Sequence, residues 1–346
     1  MANQIYTFRI ILDWDLLASI SKLDRFDASW TSIEKKEGQS LKQLKSIATV
    51  RSVGASTRIE GSKMSDKEVE VLLNNIELTK LEDRDSQEVV GYFETLELIT
   101  ESYNEIEISE NGIKNLHNIL LGYSKKDEWH RGNYKQHSNA VEAILPSGKK
   151  QIIFKTTEPG IATEDAMRGL IEWYSNDNST HPLVKCAILT YEFVSIHPFQ
   201  DGNGRLSRLL STLLLMKQGY KWIQYISFEH EIENRKTAYY RELRKCQVQR
   251  PGEDITSWVN FFLNALENIQ NLLTNKLKSQ GIESYLSPRE KSIIHFIGNR
   301  PGCKSGEMAE KLVIPNPTVK RILANLVKKN LIEKHGKGPG TNYTIL

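Results

Sequence analysis

The sequence contains few cysteines and no long apolar run. Three cysteines occur among 346 residues, at positions 186, 246 and 303, and no pair of them has metal-ligand spacing. This argues against a disulfide framework and against a zinc site. The first residues, MANQIYTFRIILDWDL, lack the basic segment, apolar core and small-residue cleavage site of an export signal. The apolar run LLSTLLLM at 209–216 is far shorter than the roughly 18 residues of a membrane span. We therefore expect a cytoplasmic protein without a membrane segment.

Charge is distributed unevenly along the chain. With 39% hydrophobic and 26% charged residues, the composition is that of a globular protein, and the length predicts two or three domains. The formal net charge is only +3, but the segment from Ser287 to the end holds eleven basic and four acidic residues, a net charge of +7. A basic terminal segment suggests its own function, and nucleic-acid binding is one candidate.

Helical periodicity dominates the first three quarters of the chain, so the fold class is mainly α. Ser65 and Glu68 have the spacing of a helix-starting capping box. One segment differs: in 139–154 two short runs flank the turn-forming sequence PSGK, which predicts a β-hairpin. Residues 1–39 are interpreted as a helical extension of unassigned role. The remaining helices are predicted at 40–52 with a continuation to 61, 87–107, 110–121, 163–175, 182–196, 206–218, 232–246 and 254–279.

The basic segment has the order of a winged helix. Helices are predicted after Ser287, within KSGEMAEKL and after Asn316-Pro317, and the strand-like pieces LIEKH and NYTIL flank the loop GKGPG. In the DNA-binding interpretation, Thr318, Lys320 and Arg321 start the recognition helix and Lys337 lies in the wing. Dimerisation or docking of another protein is the alternative, because winged helices are reused for both.

The stretch HPFQDGNGRLSR, residues 197–208, places a glycine-rich loop directly before a helix. Exposed amides and the helix dipole make such a site suitable for phosphate. Arg205 and Arg208 are three residues apart and can hold further phosphate oxygens. Asp201 is a hard oxygen ligand of the kind that Mg²⁺ takes beside water and phosphate. His197 is the candidate general base for an incoming hydroxyl.

This stretch resembles the signature of the Fic family, H-P-F-x-[D/E]-G-N-G-R-x-x-R, at every defined position. The resemblance implies a helical core with a β-hairpin flap and a bacterial source. It also implies transfer of AMP from ATP, with Mg²⁺, to a Ser, Thr or Tyr hydroxyl of a target protein or of the enzyme itself. In the implied roles His197 deprotonates the hydroxyl and Asp201 binds the metal. The implied nucleotide contacts run through Gly202, Asn203, Gly204, Arg205, Leu206, Ser207 and Arg208.

Two further segments gain a role from the same resemblance. The hairpin at 139–154 takes the place of the flap that aligns a target by strand addition, with a purely structural hairpin as the alternative. The segment IENRKTAYYREL resembles the lining of the adenine pocket, so Asn234 and Tyr240 are candidate nucleotide contacts. Paired tyrosines on a helix are also common in protein cores, which is the other interpretation of Tyr240.

A second motif lies upstream of the signature. Ser56, Glu60 and Gly61 match [S/T]-x-x-x-E-[G/N], the inhibitory motif that some Fic proteins carry before the core. If Glu60 pairs with Arg208, the carboxylate occupies the place where the γ-phosphate needs a cation. The resemblance therefore implies an autoinhibited enzyme. An ordinary surface glutamate before a helix-ending glycine is the alternative.

The predicted organisation has four parts. Residues 1–86 form a helical region that includes the inhibitory segment 56–61, 87–246 the Fic core, 247–283 a helical connector and 284–346 the winged helix-turn-helix. Two functional alternatives stay open: removal of AMP or transfer of another phosphate-containing group by the same site, and a nucleotide-sensing regulator that acts through DNA. The target and the oligomeric state, a homodimer included, are left open.

Overall fold

A computed structural model describes residues 2–78, 80–144, 150–284, 287–328, 331–336 and 338–345. The chain divides into two compact units, Met1–Thr274 and Asn275–Leu346. None of the described helices is both long and apolar enough to cross a membrane. The finer division predicted above, with boundaries after residues 86, 246 and 283, stays a prediction.

The first unit is built from helices, which confirms the mainly α fold class. Its eleven α-helices among the described residues are α1 Trp14–Lys36, α2 Gly38–Ile59, α3 Asp66–Leu73, α4 Arg84–Ser102, α5 Glu110–Leu120, α6 Ile161–Asn176, α7 Pro182–Ile196, α8 Asn203–Lys217, α9 Phe228–Asn234, α10 Lys236–Gln247 and α11 Thr256–Ser284. The boundary between the two units falls within α11. Ser65 starts α3 with the predicted capping box.

Helices α7 and α8 form the centre of this unit. Every residue of α7 from Leu183 to Ile196 is buried, and almost all of α8 is buried as well. A helix without a polar face must be enclosed by neighbours, and α2, α4 and α6 pack against this pair. The loop between α7 and α8 is therefore anchored at both ends in the core.

The structure differs from the predictions near the N-terminus and at 232–246. Residues Ala2–Ile5 and Phe8–Ile11 form an antiparallel hairpin, β1 and β2, where a helical extension was expected. The reason is tertiary: Phe8 and Ile10 alternate into the core, and the Arg9 amide donates to the Glu253 carbonyl at 3.0 Å. The helix predicted at 232–246 is two helices, α9 and α10, divided at Arg235.

The predicted central hairpin is confirmed. Strands β3, Ala140–Ile144, and β4, Lys150–Lys155, pair antiparallel with an irregular register between Val141 and Glu142. Because these two strands form a two-stranded sheet, each keeps one edge that no other described strand pairs. The predicted turn Pro146–Lys149 lies outside the described residues.

The second unit has the predicted order of a winged helix. Helices α12 Pro288–Asn299, α13 Ser305–Lys311 and α14 Asn316–Lys328 are followed by the antiparallel strands β5 Ile332–His335 and β6 Asn342–Ile345. Ser287 caps α12 through a capping box with Glu290. Asn316 was predicted as the N-cap of α14 but is its first helical residue, so the helix begins one residue earlier than predicted. Lys337, predicted in the wing, lies outside the described residues. The core of this unit contains Ile293, Ile297, Met308, Val319, Leu323, Leu326 and Ile332.

Candidate active site

Two left-handed residues delimit the loop between α7 and α8. His197 ends α7 with φ 54° and ψ 59°, and its amide donates to the Phe193 carbonyl at 3.0 Å. Gly202 precedes α8 with φ 81°, and a Cβ there would lie 3.3 Å from Nε2 of His117. Glycine at 202 therefore supplies both the backbone conformation and the space for the histidine.

Asn203 shapes this loop through its side chain. Its Oδ1 accepts from the Phe199 amide at 2.9 Å and its Nδ2 donates to the Phe199 carbonyl at 2.7 Å. These bonds start α8 at Asn203, three residues before the predicted start. Asn203 is buried and Phe199 is fully buried. Asn203 thus offers a ligand only its backbone amide.

The first turn of α8 is the candidate anion site. The first amides of a helix lack partners within the helix, and the dipole adds positive potential there. These are the amides of Asn203, Gly204 and Arg205. The Leu206 amide already donates to the Gly202 carbonyl at 2.9 Å, and its side chain is fully buried. Leu206 therefore packs the core and has no free donor for its predicted nucleotide contact; Ser207 is also buried.

Asp201 is held in an ionised state. Its Oδ1 accepts from the Gly202 amide at 2.6 Å and from Arg205 Nη2 at 3.3 Å, and its Oδ2 accepts from Arg84 Nη2 at 3.2 Å. Burial raises the pKa of Asp201, but Arg205, the Gly202 amide and Arg84 outweigh it and hold the pKa below its usual range. A charged carboxylate is what a hard cation needs.

The donor set around Asp201 fits Mg²⁺ bound together with phosphate. Among the described residues no group of three or more His, Cys, Asp or Glu side chains could enclose a metal ion. One carboxylate would leave the other octahedral positions to water and phosphate oxygens, which is how Mg²⁺ binds in nucleotide sites. The predicted metal role of Asp201 agrees with this geometry and stays a prediction.

Arg205 is held by two acidic side chains at the start of α8. Its guanidinium is buried and lies 3.3 Å from Oε1 of the buried Glu88 and 3.3 Å from Asp201. Glu88 also accepts from Arg84 Nε at 2.6 Å. Arg84 and Glu88 were missed by sequence reasoning, because an Arg and a Glu four residues apart on a helix usually form a solvated pair.

His117 is a third residue that the sequence did not reveal. The Gly132 amide donates to its Nδ1 at 2.9 Å, so Nε2 carries the proton and donates to the Asp201 carbonyl at 2.9 Å. The ring stacks on Phe199 with centroids 3.8 Å apart. Burial lowers the pKa of His117 to about 4. His117 is thus a neutral donor that orients the backbone of Asp201.

His197 is also neutral. Burial lowers its pKa to about 4, although the Val194 carbonyl, 3.3 Å from Nδ1, opposes this. With Nδ1 protonated toward that carbonyl, Nε2 is the free basic nitrogen. An imidazole of this kind can accept a proton throughout the neutral pH range.

Arg208 is enclosed by the upstream motif. Its Nε donates to Ser56 Oγ at 2.8 Å, and its Nη2 donates to the Ser56 carbonyl at 3.0 Å and to Glu60 Oε1 at 2.8 Å. Burial raises the pKa of Glu60, but the Arg208 charge outweighs it and keeps the pKa below the usual value. The predicted pairing of Glu60 with Arg208 is present as geometry.

The end of α2 explains the position of Glu60. The Gly61 amide donates to the Arg58 carbonyl and the Ser62 amide to the Thr57 carbonyl, both at 3.1 Å. This is the Schellman pattern, with Gly61 at φ 113°. A Cβ at Gly204 would lie 2.3 Å from Glu60 Oε1, so the carboxylate lies directly on the first turn of α8.

The two candidate adenine contacts have different surroundings. Tyr240 is part-buried, and burial together with the nearby Glu60 charge raises its pKa to about 12. Asn234 is exposed at the end of α9. This region is tied to the end of α2, since Arg58 donates to both oxygens of Glu233 at 2.7 and 3.0 Å. Lys236 Nζ donates to the Ile59 carbonyl at 2.6 Å.

Comparison with known families agrees with this site. Residues 107–215 match the Fic/DOC family and residues 286–339 match the MarR family. The chain contains a Fic domain. Curated relatives named protein adenylyltransferase Fic, from Drosophila virilis and Drosophila melanogaster, are 27% identical over 224 residues, which cover 64% of this chain. The chain spans 43% and 42% of the length of these two relatives.

Solved structures extend the likeness of fold. A Fic family protein from Desulfovibrio desulfuricans has a TM-score of 0.63 at 23% identity and covers 97% of both chains. A Fic domain containing signaling protein from Bacteroides thetaiotaomicron has a TM-score of 0.61 at 24% identity, covering 75% of this chain and 97% of its own. The Fic fold is therefore shown, and the winged-helix order of the second unit agrees with the MarR match.

Proposed function

We propose that this protein is an adenylyltransferase that transfers AMP from ATP to a hydroxyl of a protein and that Glu60 holds it inactive. The contact between Glu60 and Arg208, at 2.8 Å, carries the proposal of inactivity. The names of the curated relatives and the site geometry support the reaction.

Each residue of the site has its own proposed role in the transfer. Nε2 of His197 accepts the proton of the target hydroxyl, whose oxygen attacks the α-phosphorus as the bond to pyrophosphate breaks. The amides at the start of α8 hold phosphate oxygens in the field of the helix. Asp201 would hold Mg²⁺, which neutralises phosphate charge. Arg208 is the cation for the remaining phosphates once Glu60 withdraws. Arg205, which is held by Glu88 and Asp201, adds positive charge nearby.

The flap is the proposed docking site of the target. Each strand of the β3–β4 pair has an edge that is unpaired among the described strands, and an extended target segment can add there through main-chain hydrogen bonds. The hairpin would then present the target hydroxyl to His197. The same site would also serve the alternative reactions, removal of AMP or transfer of another phosphate-containing group.

Substitution of Glu60 tests the proposal. We expect Glu60→Gly to raise AMP transfer about ten- to hundredfold, the effect of losing a charge-assisted hydrogen bond. Wild type, Glu60→Gly and Glu60→Gly/His197→Ala are incubated with Mg²⁺ and ATP labelled on the α- or the γ-phosphate. Label retained on protein only from α-labelled ATP, and lost in the double variant, is the expected result.

The matched control is Glu105→Gly, which removes an exposed glutamate from a turn after α4 and is expected to behave as wild type. Label retained from γ-labelled ATP would indicate that the enzyme transfers phosphate and not AMP. Equal labelling in wild type and Glu60→Gly would contradict inhibition by Glu60. Release of AMP from a labelled protein by wild type would support the reverse reaction.

A second candidate function belongs to the winged helix. Lys320 and Arg321 are exposed on α14, and Lys304, Lys320 and Lys334 line a groove between α13, α14 and the wing. The segment carries a net charge of +7. We infer that this face binds the DNA backbone, with α14 in the major groove.

A further inference from the structure

Lys135 is a buried lysine in a polar segment between α5 and the flap. Its side chain is 2% exposed. Nζ donates to Asn139 Oδ1 at 3.0 Å, to Thr156 Oγ1 at 2.9 Å and to the Ile196 carbonyl at 3.1 Å. Buried lysines normally pair with a carboxylate, but Lys135 forms no ion pair within the described part of the chain. Three neutral acceptors instead match the three donors of an ammonium group.

Two of the bonds made by Lys135 enclose His197. Its ammonium binds the carbonyl of Ile196, and its backbone amide donates to the carbonyl of Pro198 at 2.8 Å. His197 between them adopts a left-handed conformation, φ 54°, that is unfavourable for a residue with a side chain. Such a conformation persists only where neighbouring bonds hold it.

The other two bonds of the ammonium hold the base of the flap. Asn139 directly precedes β3 and Thr156 directly follows β4, and Thr156 Oγ1 also donates to Asn139 Oδ1 at 2.7 Å. Asn139 Nδ2 in turn donates to the Phe199 carbonyl at 2.9 Å. One ammonium group therefore joins both ends of the hairpin to the residue before His197.

We propose that Lys135 is a positioning residue that fixes the distance between His197 and the target hydroxyl presented by the flap. This inference rests on the proposed transfer reaction and adds a residue to its machinery. Lys135 contacts neither the anion site nor Asp201, so it acts on the proton-transfer geometry and not on nucleotide binding. A displacement of about 1 Å of a catalytic group costs on the order of a hundredfold in rate.

The protonation state of Lys135 adds a measurable property. Burial lowers the pKa of Lys135 to about 8, while the charge of Glu158 opposes this. Among the described residues, His197 also interacts electrostatically with Lys135. Above that pH the neutral amine has two N–H donors for three acceptors, and one of the three bonds is lost.

The test uses full-length protein in the Glu60→Gly background with three variants. Lys135→Met removes the ammonium and keeps the stem, and Lys135→Arg keeps a charge. Lys185→Met is the matched control, because Lys185 is buried on α7 and donates to the Asp177 carbonyl near the start of that helix. The measurements are the transfer rate at saturating ATP, ATP affinity by calorimetry with Mg²⁺, and hydrogen exchange of the peptide 196–202.

We expect Lys135→Met to lower the transfer rate about ten- to hundredfold, to leave ATP affinity within about twofold and to speed exchange at 196–202. Lys135→Arg should restore part of the rate, and Lys185→Met should match the parent in all three measurements. The parent should also lose rate as pH rises through about 8, the pKa of Lys135, and Lys135→Met should lack this alkaline decrease.

Several outcomes overturn the inference. The inference is wrong if Lys135→Met transfers AMP as fast as the parent. It is also wrong if Lys135→Met loses as much ATP affinity as transfer rate, because that result indicates general unfolding. If the Glu60→Gly parent itself transfers no AMP, the proposed function fails. Hydrogen exchange at 196–202 then tests independently whether Lys135 holds the loop. Unchanged exchange at 196–202 in Lys135→Met would show that Lys135 does not hold the loop.

Discussion

At the scale of single residues, His197 combines an unusual backbone with a neutral ring. The left-handed conformation at the end of α7 turns the chain out of the helix, and burial lowers the pKa of the imidazole to about 4. A histidine in water has a pKa near 6.5, so half of it would be protonated there at that pH. In this site the base stays available at lower pH.

This gives a prediction for the pH dependence of the reaction. For the Glu60→Gly variant we expect kcat/KM for AMP transfer to stay level between pH 7 and pH 6, because His197 with a pKa of about 4 remains unprotonated there. We expect kcat/KM to decrease only at more acidic pH, and rate measurements over the whole pH range check this. A decrease centred near pH 6.5 would mean that the base has the properties of an exposed histidine.

The control for that experiment is the folded state. His117, like His197, has its pKa lowered to about 4 by burial, so the unfolded chain binds more protons between that value and about 6.5. The free energy of unfolding is therefore at its plateau above pH 6.5 and falls as pH drops through this window. Circular dichroism at each pH separates loss of folding from loss of the base.

The two arginines of the signature show how environment divides similar residues. Arg205 is paired with Glu88 and Asp201, whereas Arg208 is paired with Glu60 and bonded to Ser56. Arg205 thereby supports the carboxylate of Asp201, the predicted metal ligand. Arg208 is the residue that the inhibitory motif occupies.

At the scale of elements, the end of α2 determines where Glu60 lies. The Schellman turn needs Gly61 at φ 113°, and no atom outside its neighbours lies within 4 Å of a Cβ built there. An alanine would therefore strain the backbone without a clash. This backbone conformation therefore leads the chain out of α2 directly after Glu60, whose carboxylate is the proposed inhibitor.

We accordingly expect Gly61→Ala to raise AMP transfer above wild type, by less than Glu60→Gly does, because a strain of about 1 kcal/mol weakens the turn that positions Glu60. The matched control is Gly219→Ala at the end of α8, where φ is 101° and the space around a Cβ is also open. It should lower the melting temperature similarly and leave transfer at the wild-type level. A Gly61→Ala protein as inactive as wild type would indicate that the carboxylate keeps its place without the turn.

At the scale of the whole molecule, the two units carry different chemistry. The first, Met1–Thr274, holds the complete candidate active site, and the second, Asn275–Leu346, holds the winged helix. A regulator that senses nucleotide through the first unit and binds DNA through the second remains the alternative to a protein-modifying enzyme. The two are distinguished by substituting His197: an enzyme loses its effect without this base, whereas a nucleotide-sensing regulator does not need it.

DNA binding by the full chain can be predicted from the surface of α14. We expect Lys320→Glu/Arg321→Glu to weaken binding to duplex DNA at least about tenfold at low salt, because two phosphate contacts become repulsive. Fluorescence anisotropy over a range of salt concentrations measures this. The control Lys291→Glu/Arg300→Glu makes the same charge change at exposed positions around α12 and should bind nearly as wild type. If both pairs weaken binding equally, net charge and not α14 accounts for the affinity.

The features that the sequence predicted are mostly those whose residues lie close together along the chain. The signature, the capping box at Ser65, the helix start at Ser287 and the turn at Gly61 are patterns within a few residues, where helix geometry and backbone preference already decide the outcome. The pairing of Glu60 with Arg208 spans 148 residues and was predicted only because the motif resembles a known family.

The sequence by itself determined the helical fold class, the winged-helix order and the glycine-rich loop before α8, the candidate phosphate site, because each depends on local periodicity and helix ends. Only the tertiary structure decided the partners of the buried charges. Arg84 and Glu88 reach Asp201 and Arg205 from another helix, and Lys135 reaches Ile196 across 61 residues. A lone lysine or arginine in a polar segment looks solvated in sequence, since its burial depends on which distant backbone and side-chain acceptors the fold brings to it.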